Sequence, residues 1–436
     1  MASSREEPMD GLEGPTILLL NDEYGTSKGG ISTINQQIGR LLRKAKAIVY
    51  CTVLYEDIPD DDRECADEDD VLLITPFRPE RLEREPNWEW LEFYHTIHYP
   101  NLPEKVDFII GHSAITSQIA RNIQAQRYPN AKVILFTHVM PEDTDYYKGK
   151  KRAIAASRKT KAMVMQAENV HAVFAVGTRI HQHFSTKYRV LIGKKKDMRP
   201  CLHYCFLPRP SQTFERTEVS FDKGQLVVLA VGRVRGVERL KGHDLGARSM
   251  GMVAEVIPNV VFQVRGIDTD DYENSKKILE DNLASGKLKP TLLEYGTQQE
   301  ISDDIRQAHL VLMPSRAEPF GLVGLEAIAA GIPVLISNQS GLADLMKDLM
   351  KQEKVSADFR HKIVTTSVRD SDLEKNAEAW KEKIVDTLKH VESEFKRAAE
   401  FKKQLLESKY WEESYQALLG ACGINTMPKD DSEEEM

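Results

Sequence analysis

The chain has 436 residues, 41% hydrophobic and 29% charged, with 25 Gly and 19 Pro; this is a soluble globular composition, and the length suits two domains. With 67 acidic and 59 basic residues the net charge is -8, which counts against a general nucleic-acid binder. No run of roughly 18 apolar residues marks a transmembrane segment, five Cys make no disulfide framework, and the acidic N-terminus is unlike a secretory or mitochondrial signal; the expectation is a cytoplasmic protein.

The acids are unevenly placed. Residues 56–70 hold ten of them and one Arg, and 428–436 hold five and one Lys, leaving 57 basic and 52 acidic residues elsewhere. The first segment reads as an acidic insertion and 423–436 as an acidic disordered tail. The body between them is mildly basic.

In chain order, a flexible leader (1–14) precedes Thr16–Leu20, a short apolar run that suits a strand buried on both faces. A Gly-rich loop over 25–30 follows, then Ile31, Ile34, Ile38, Leu41 and Leu42 at helical spacing. Further apolar runs at 47–54, 71–74, 106–110, 133–137 and 172–176 alternate with helix-length segments, the pattern of a parallel α/β sheet. The polar, Pro-bearing stretch from Pro208 to Thr217 reads as a linker. The alternation restarts at 226–231 and continues at 260–264, 291–293, 310–313 and 333–336, and 370–420 is charge-rich with helical period. Two doubly wound, Rossmann-like domains (15–210 and 222–400) are therefore expected to face each other across a cleft. Ligands of such sheets bind beyond the carboxyl ends of the strands.

The segment Met313–Leu335 carries the most chemistry. A strand ends at Met313, a loop presents Glu318, and Pro319 suits the first turn of a helix starting near Phe320. The first amides of that helix, at Phe320, Gly321 and Leu322, form an anion site that Gly321 leaves uncrowded. Glu326 lies about 7–8 Å further along the axis. Two carboxylates flanking a phosphate-sized site suit a diphosphate with hydroxyl-rich groups on either side. The loop at 25–30 is neither a P-loop nor a dinucleotide fingerprint, and Cys201, His203 and Cys205 are too close together to form a zinc site.

E-x7-E within EPFGLxxLEAxAxGxPV resembles the signature of family 4 glycosyltransferases, retaining enzymes of GT-B fold that use nucleoside-diphosphate sugars. Gly29-Gly30-Ile-Ser-Thr resembles that family's first Gly-rich loop, and the strand ending in His138 its acceptor-side His. Arg233 followed by Lys241-Gly-His-Asp244 resembles its GR…KGxD segment, and Tyr295-Gly296 its loop beside the base. The resemblance covers residues 15–350 and implies the following roles. Arg233 and Lys241 bind the diphosphate and stabilise its developing charge. Glu318 contacts the donor sugar and Glu326 the ribose; Phe320, Gly321 and Leu322 hold phosphate through backbone amides. Gly29 and Gly30 let backbone approach the donor, and His138 stands beside the transferred sugar.

The resemblance also implies a UDP- or GDP-sugar donor, a hydroxyl acceptor, no metal or other required cofactor, and a C-terminal helix (401–422) that crosses back to the first domain. Two features differ from the family pattern. The Arg233–Lys241 spacing is about two residues longer, so Arg235 or Arg239 can take over a phosphate contact. Ser340-Gly-Leu-Ala-Asp344 stands where the family has GGxPE. The cluster from Lys148 to Lys161, including Lys151 and Arg152, has seven cations and no acid; it favours an anionic acceptor or peripheral contact with an anionic membrane surface. Two alternatives share the fold: a sensor that binds sugar nucleotides without turnover, and a sugar-nucleotide epimerase, against which the E-x7-E pattern counts.

Overall fold

The computed structural model describes residues 14–27, 29–79, 84–194, 202–219, 224–234, 239–284, 286–425 and 427. The leader up to residue 13, Arg235 and the acidic tail 428–436 lie outside these residues.

Each apolar run becomes a parallel strand. Seven strands, β1 (Thr16–Leu20), β2 (Ile48–Thr52), β3 (Leu72–Ile74), β4 (Phe108–His112), β5 (Lys132–Thr137), β6 (Ala172–Val176) and β7 (Leu202–Phe206), form a sheet of order β3-β2-β1-β4-β5-β6-β7. Six more, β8 (Leu226–Val231), β9 (Val260–Ile267), β10 (Pro290–Glu294), β11 (Leu310–Met313), β12 (Val334–Ser337) and β13 (Ile363–Val364), form a second of order β10-β9-β8-β11-β12-β13. In both, the order reverses beside the first strand, the switch point where open α/β sheets bind ligands. Side chains on both faces of β1, β4 and β6 are buried, which is why those strands read as unbroken apolar runs. β7 was absent from the expected series: LHYCF is mixed in polarity, and as an edge strand it leaves Leu202 exposed.

The acidic segment is not an insertion; it is the crossover between β2 and β3. Residues Asp60–Glu68 form a helix with Asp60, Asp61 and Asp62 in its first turn, where negative charge meets the positive helix end. Asp62 is buried and accepts from Tyr24 N (3.0 Å) and Tyr55 OH. Asp69 accepts from Tyr24 OH (3.1 Å) and Arg40 Nε (2.6 Å). These acids hold the loop that leads from β1 to Gly29.

Helices Leu373–Lys389, Val391–Glu407 and Glu412–Ala421 follow the second sheet. Glu412–Ala421 packs on β7. Nearby, Ser414 Oγ accepts from Leu207 N (3.1 Å), Tyr410 OH donates to Pro208 O (2.7 Å), and His171 bonds Ala421 O (3.0 Å). The C-terminal chain is thereby tied to the first sheet. Among the described residues no helix is long and apolar enough to cross a membrane.

Candidate active site

Three loops of the second sheet build the core of the site. After β11, Arg316 is buried and grips Asp244 with both terminal nitrogens (2.6 and 2.8 Å), while its backbone N donates to Leu240 O (2.9 Å). Burial alone would raise the Asp244 carboxyl, but the Arg316 hydrogen bonds and charge outweigh it and hold it below its ordinary value. Lys241 is thereby fixed beside Glu318: Nζ donates to Oε2 at 2.8 Å, and Ser315 Oγ donates to the same oxygen at 3.2 Å.

The Glu318 backbone is strapped to the turn after β12. Glu318 N donates to Gln339 O (2.9 Å), Gly341 N to Glu318 O (3.0 Å) and Leu342 N to Phe320 O (2.6 Å). A Cβ on Gly341 would run into Pro319 O. Ser340 caps the helix Gly341–Lys351 by accepting from Ala343 N (3.1 Å) and donates to Ser337 O (2.8 Å). The Ser at this turn is therefore a built-in helix cap.

The following helix runs Leu322–Ala330, two residues later than expected at Phe320, with Gly321 at its N-cap. Gly321 has φ +115, and a Cβ there would stand 2.9 Å from Met313 Cε, so only Gly fits. Glu326, the fifth residue of the helix, is buried; burial pushes its carboxyl up to about 7 against the opposing charge of Lys241. Arg233 follows β8 and is half-buried. Gly296 lies between β10 and the helix Gln298–Gln307. Arg239 pairs with Asp244 (3.4 Å) and Asp370 (2.5 Å); this engagement occupies the guanidinium expected to take over a phosphate contact.

The first sheet presents its own loops to this group. A Cβ on Gly30 would stand 3.2 Å from Leu322 Cδ1, while Gly29, at φ +107, would have nothing within 4 Å of one. Thr26 Oγ1 accepts from Gln298 N (3.3 Å), Gly177 lies against the Phe320 ring, and Tyr147 O accepts from Arg239 N (2.9 Å). Arg179 bonds Asp344 Oδ2 (2.7 Å) and Asn338 O (3.2 Å). Asp344, the second departure from the family turn, is therefore a partner across the domains.

His138, half-buried after β5, belongs to a chain of rings. Asn35 Nδ2 donates to Cys51 Sγ (3.5 Å), which turns Asn35 Oδ1 to His112 Nε2 (3.0 Å). His112 Nε2 must then carry the proton, and its Nδ1 accepts from His138 Nε2–H at 2.9 Å. His138 is left with Nδ1 as its lone-pair nitrogen. Burial keeps both rings neutral: His112 is lowered to about 3, and His138 lies well below its ordinary value, with His112 adding repulsion. Sequence reasoning found His138 but missed Asn35, His112 and Arg316, whose roles exist only through contacts distant in sequence.

The basic cluster forms the helix Lys150–Gln166, with Lys151 and Arg152 exposed. The structure does not bring these two into contact with Lys241 or Glu318. Tyr147, just before the helix, is what touches the Arg239 loop. Among the described residues no three His, Cys, Asp or Glu side chains are grouped to hold a metal ion.

Two parallel sheets that turn their loops toward each other in this way define the GT-B class of glycosyltransferase fold. A family model described as "Family 4 Glycosyltransferase in conflict systems" matches residues 18–418, and the chain belongs to that family. It is 30% identical over 149 residues to the lipopolysaccharide core biosynthesis mannosyltransferase LpsB of Rhizobium meliloti (strain 1021), covering 33% of this chain and 42% of that one. The match thus spans less than half the length of that relative. Sucrose-phosphate synthase from Thermosynechococcus elongatus superposes with a TM-score of 0.64 at 17% identity, over 93% of this chain and all of that one. Anabaena HepE, solved in complex with UDP and glucose, superposes with a TM-score of 0.59 at 13% identity, over 94% and 97%.

Proposed function

We propose that the chain moves a sugar, with retention of configuration, from a UDP- or GDP-sugar to an acceptor hydroxyl. The observation that carries this reading is the Lys241–Glu318 pair at the start of the Leu322–Ala330 helix, with Glu326 buried behind it and Gly29–Gly30 opposite. Lys241, Arg233 and the amides at Gly321 and Leu322 would hold the diphosphate and neutralise the charge that grows as the sugar leaves. Glu318 would orient the sugar and Glu326 would accept from the ribose hydroxyls. The acceptor would attack the face that the diphosphate leaves, with a phosphate oxygen taking its proton. The cations supply the charge stabilisation, so the reading requires no metal, and chelator should leave the rate unchanged. Lys241→Ala and Glu318→Ala should each lower transfer by about 100-fold or more, measured as sugar released from the nucleotide onto acceptor. Wild-type rates in either variant would contradict the assignment.

We further infer an anionic acceptor. Lys150, Lys151 and Arg152 crowd the first turn of their helix with no acid, against the helix dipole by roughly 0.3–1 kcal/mol each. An anion at this face would offset that cost. Lys151→Glu with Arg152→Glu should raise the acceptor KM and leave donor affinity unchanged; an unchanged KM would remove the inference. Binding of the wild type to anionic vesicles, lost in the same variant, would instead assign the face to a membrane surface.

A further inference from the structure

Lys241 rides on a short turn that both domains hold. Gly242 N donates to Arg239 O (3.2 Å), closing the turn over residues 239–242. Arg316 Nη1 donates to the same oxygen (3.0 Å) and Arg316 N to Leu240 O (2.9 Å), so the second domain grips the turn from one side. On the other side, Arg239 N donates to Tyr147 O (2.9 Å) of the first domain. The N–H of Arg239 is thus held from one domain and its C=O from the other, two residues before the cation that pairs with Glu318.

The surroundings of Tyr147 keep its carbonyl in place. It belongs to the single turn Asp145–Lys148. Asp145 is buried 3.4 Å from Lys148 Nζ and 3.6 Å from Lys159 Nζ, which ties this turn to the helix Lys150–Gln166. The Tyr147 ring is half-buried with Tyr146 edge-on at 5.1 Å, and its OH donates to Val368 O (3.4 Å). Burial raises the phenol above its ordinary value, so it stays a neutral donor. Two residues beyond Val368, Asp370 pairs with the Arg239 guanidinium (2.5 Å). Tyr147, Arg239 and the loop 368–370 therefore close a ring of contacts across the cleft.

A cation that binds phosphate must be held to within about 0.5 Å of its productive place. Lys is a point charge on a flexible stem, so that precision has to come from its backbone. We propose that Tyr147 is a positioning residue: from across the cleft it sets the turn that presents Lys241 to the donor diphosphate. Arg239 then serves through its peptide, while its guanidinium is spent on Asp244 and Asp370. The effect on donor binding rests on the donor reading above; the placement of Lys241 is measurable without any ligand.

Two measurements on the full chain test this. In the first, lysines are acetylated with limiting acetic anhydride and the modified peptides are quantified by mass spectrometry. Tyr147→Ala should speed acetylation of Lys241 about threefold or more, while Tyr147→Phe, which keeps the ring, should stay within about twofold of the wild type. Lys396, exposed on the helix Val391–Glu407, should be unchanged in both. No change at Lys241, or an equal rise at Lys396, would overturn the proposal. In the second, UDP and GDP are titrated into the wild type, Tyr147→Ala, Lys241→Ala and the double variant. Tyr147→Ala should weaken whichever nucleotide binds about tenfold, or about 1.4 kcal/mol, and should add nothing in the Lys241→Ala background. The same loss in both backgrounds would overturn the proposal, because the effect would not pass through Lys241. Binding of neither nucleotide by the wild type would overturn the donor reading, and the acetylation rates would still decide how Lys241 is placed.

Discussion

His138 shows how a fully buried neighbour sets the chemistry of a ring beside it. Because Asn35 orients His112 and His112 accepts from His138, the His138 proton is confined to Nε2. Replacing His112 with Leu leaves that donor without its acceptor, at a cost of about 1–3 kcal/mol. In 15N-histidine NMR spectra of the variant, His138 should lose its fixed Nε2–H tautomer; an unchanged tautomer would disprove the relay. Both rings bind fewer protons folded than unfolded, so their contribution to stability is complete above about pH 6.5 and is lost as pH falls toward the value of about 3 to which His112 is lowered. Glu326 acts in the opposite sense. Its carboxyl is raised to about 7, so its burial is tolerated below the ordinary Glu value and becomes destabilising as pH rises through neutrality. Glu326→Gln should therefore stabilise the protein at pH 8 relative to pH 4.5, by up to about 3 kcal/mol. A pH-independent difference in melting would remove that reading.

At the scale of elements, the segment 56–70 illustrates what patterning can and cannot reveal. Its charge was plain, but the burial of Asp62 and Asp69 under Tyr24 depends on contacts 38 and 45 residues apart. A surplus of acids therefore read as an appendage when it is a crossover helix. Asp62→Ala should cost about 1–3 kcal/mol, since Tyr24 N and Tyr55 OH lose their acceptor, and should also weaken donor binding through the Gly29 loop. A neutral effect on thermal melting would restore the view of the segment as dispensable. The strands with unbroken apolar runs were legible because burial on both faces leaves no other composition; β7 and the two-residue β13 carry no such run. The loop from Met313 to Gly321 was legible almost to the residue, since a strand end, Pro319 and Gly321 each restrict the backbone. The strap from Gln339 to Leu342 was not. Ser340→Ala there should cost about 1 kcal/mol as a lost helix cap, and Gly341→Ala more, because its Cβ meets backbone.

For the whole molecule, one buried apolar cluster runs from the first sheet through the C-terminal helices to the second, and polar contacts such as Thr26–Gln298, Tyr147–Arg239 and Arg179–Asp344 join the facing loops. Arg179–Asp344 is an ion pair among these contacts, partly exposed on both sides, and worth about 1 kcal/mol or less. Asp344→Arg should raise the donor KM by opening the cleft, and exchanging the pair as Arg179→Asp with Asp344→Arg should restore it. A double variant no better than the single would show that the pair does not hold the domains. The net charge of -8 does not oppose an anionic donor, because the excess acids are concentrated at 56–70 and 428–436 and the rest of the chain holds 57 basic and 52 acidic residues. Titration calorimetry of UDP and GDP into the wild type and Lys241→Ala addresses this most directly. One of the two nucleotides should bind the wild type, with affinity reduced about 100-fold by the substitution, or roughly 2.7 kcal/mol. Binding of neither, or equal binding to both proteins, would contradict the donor site described above.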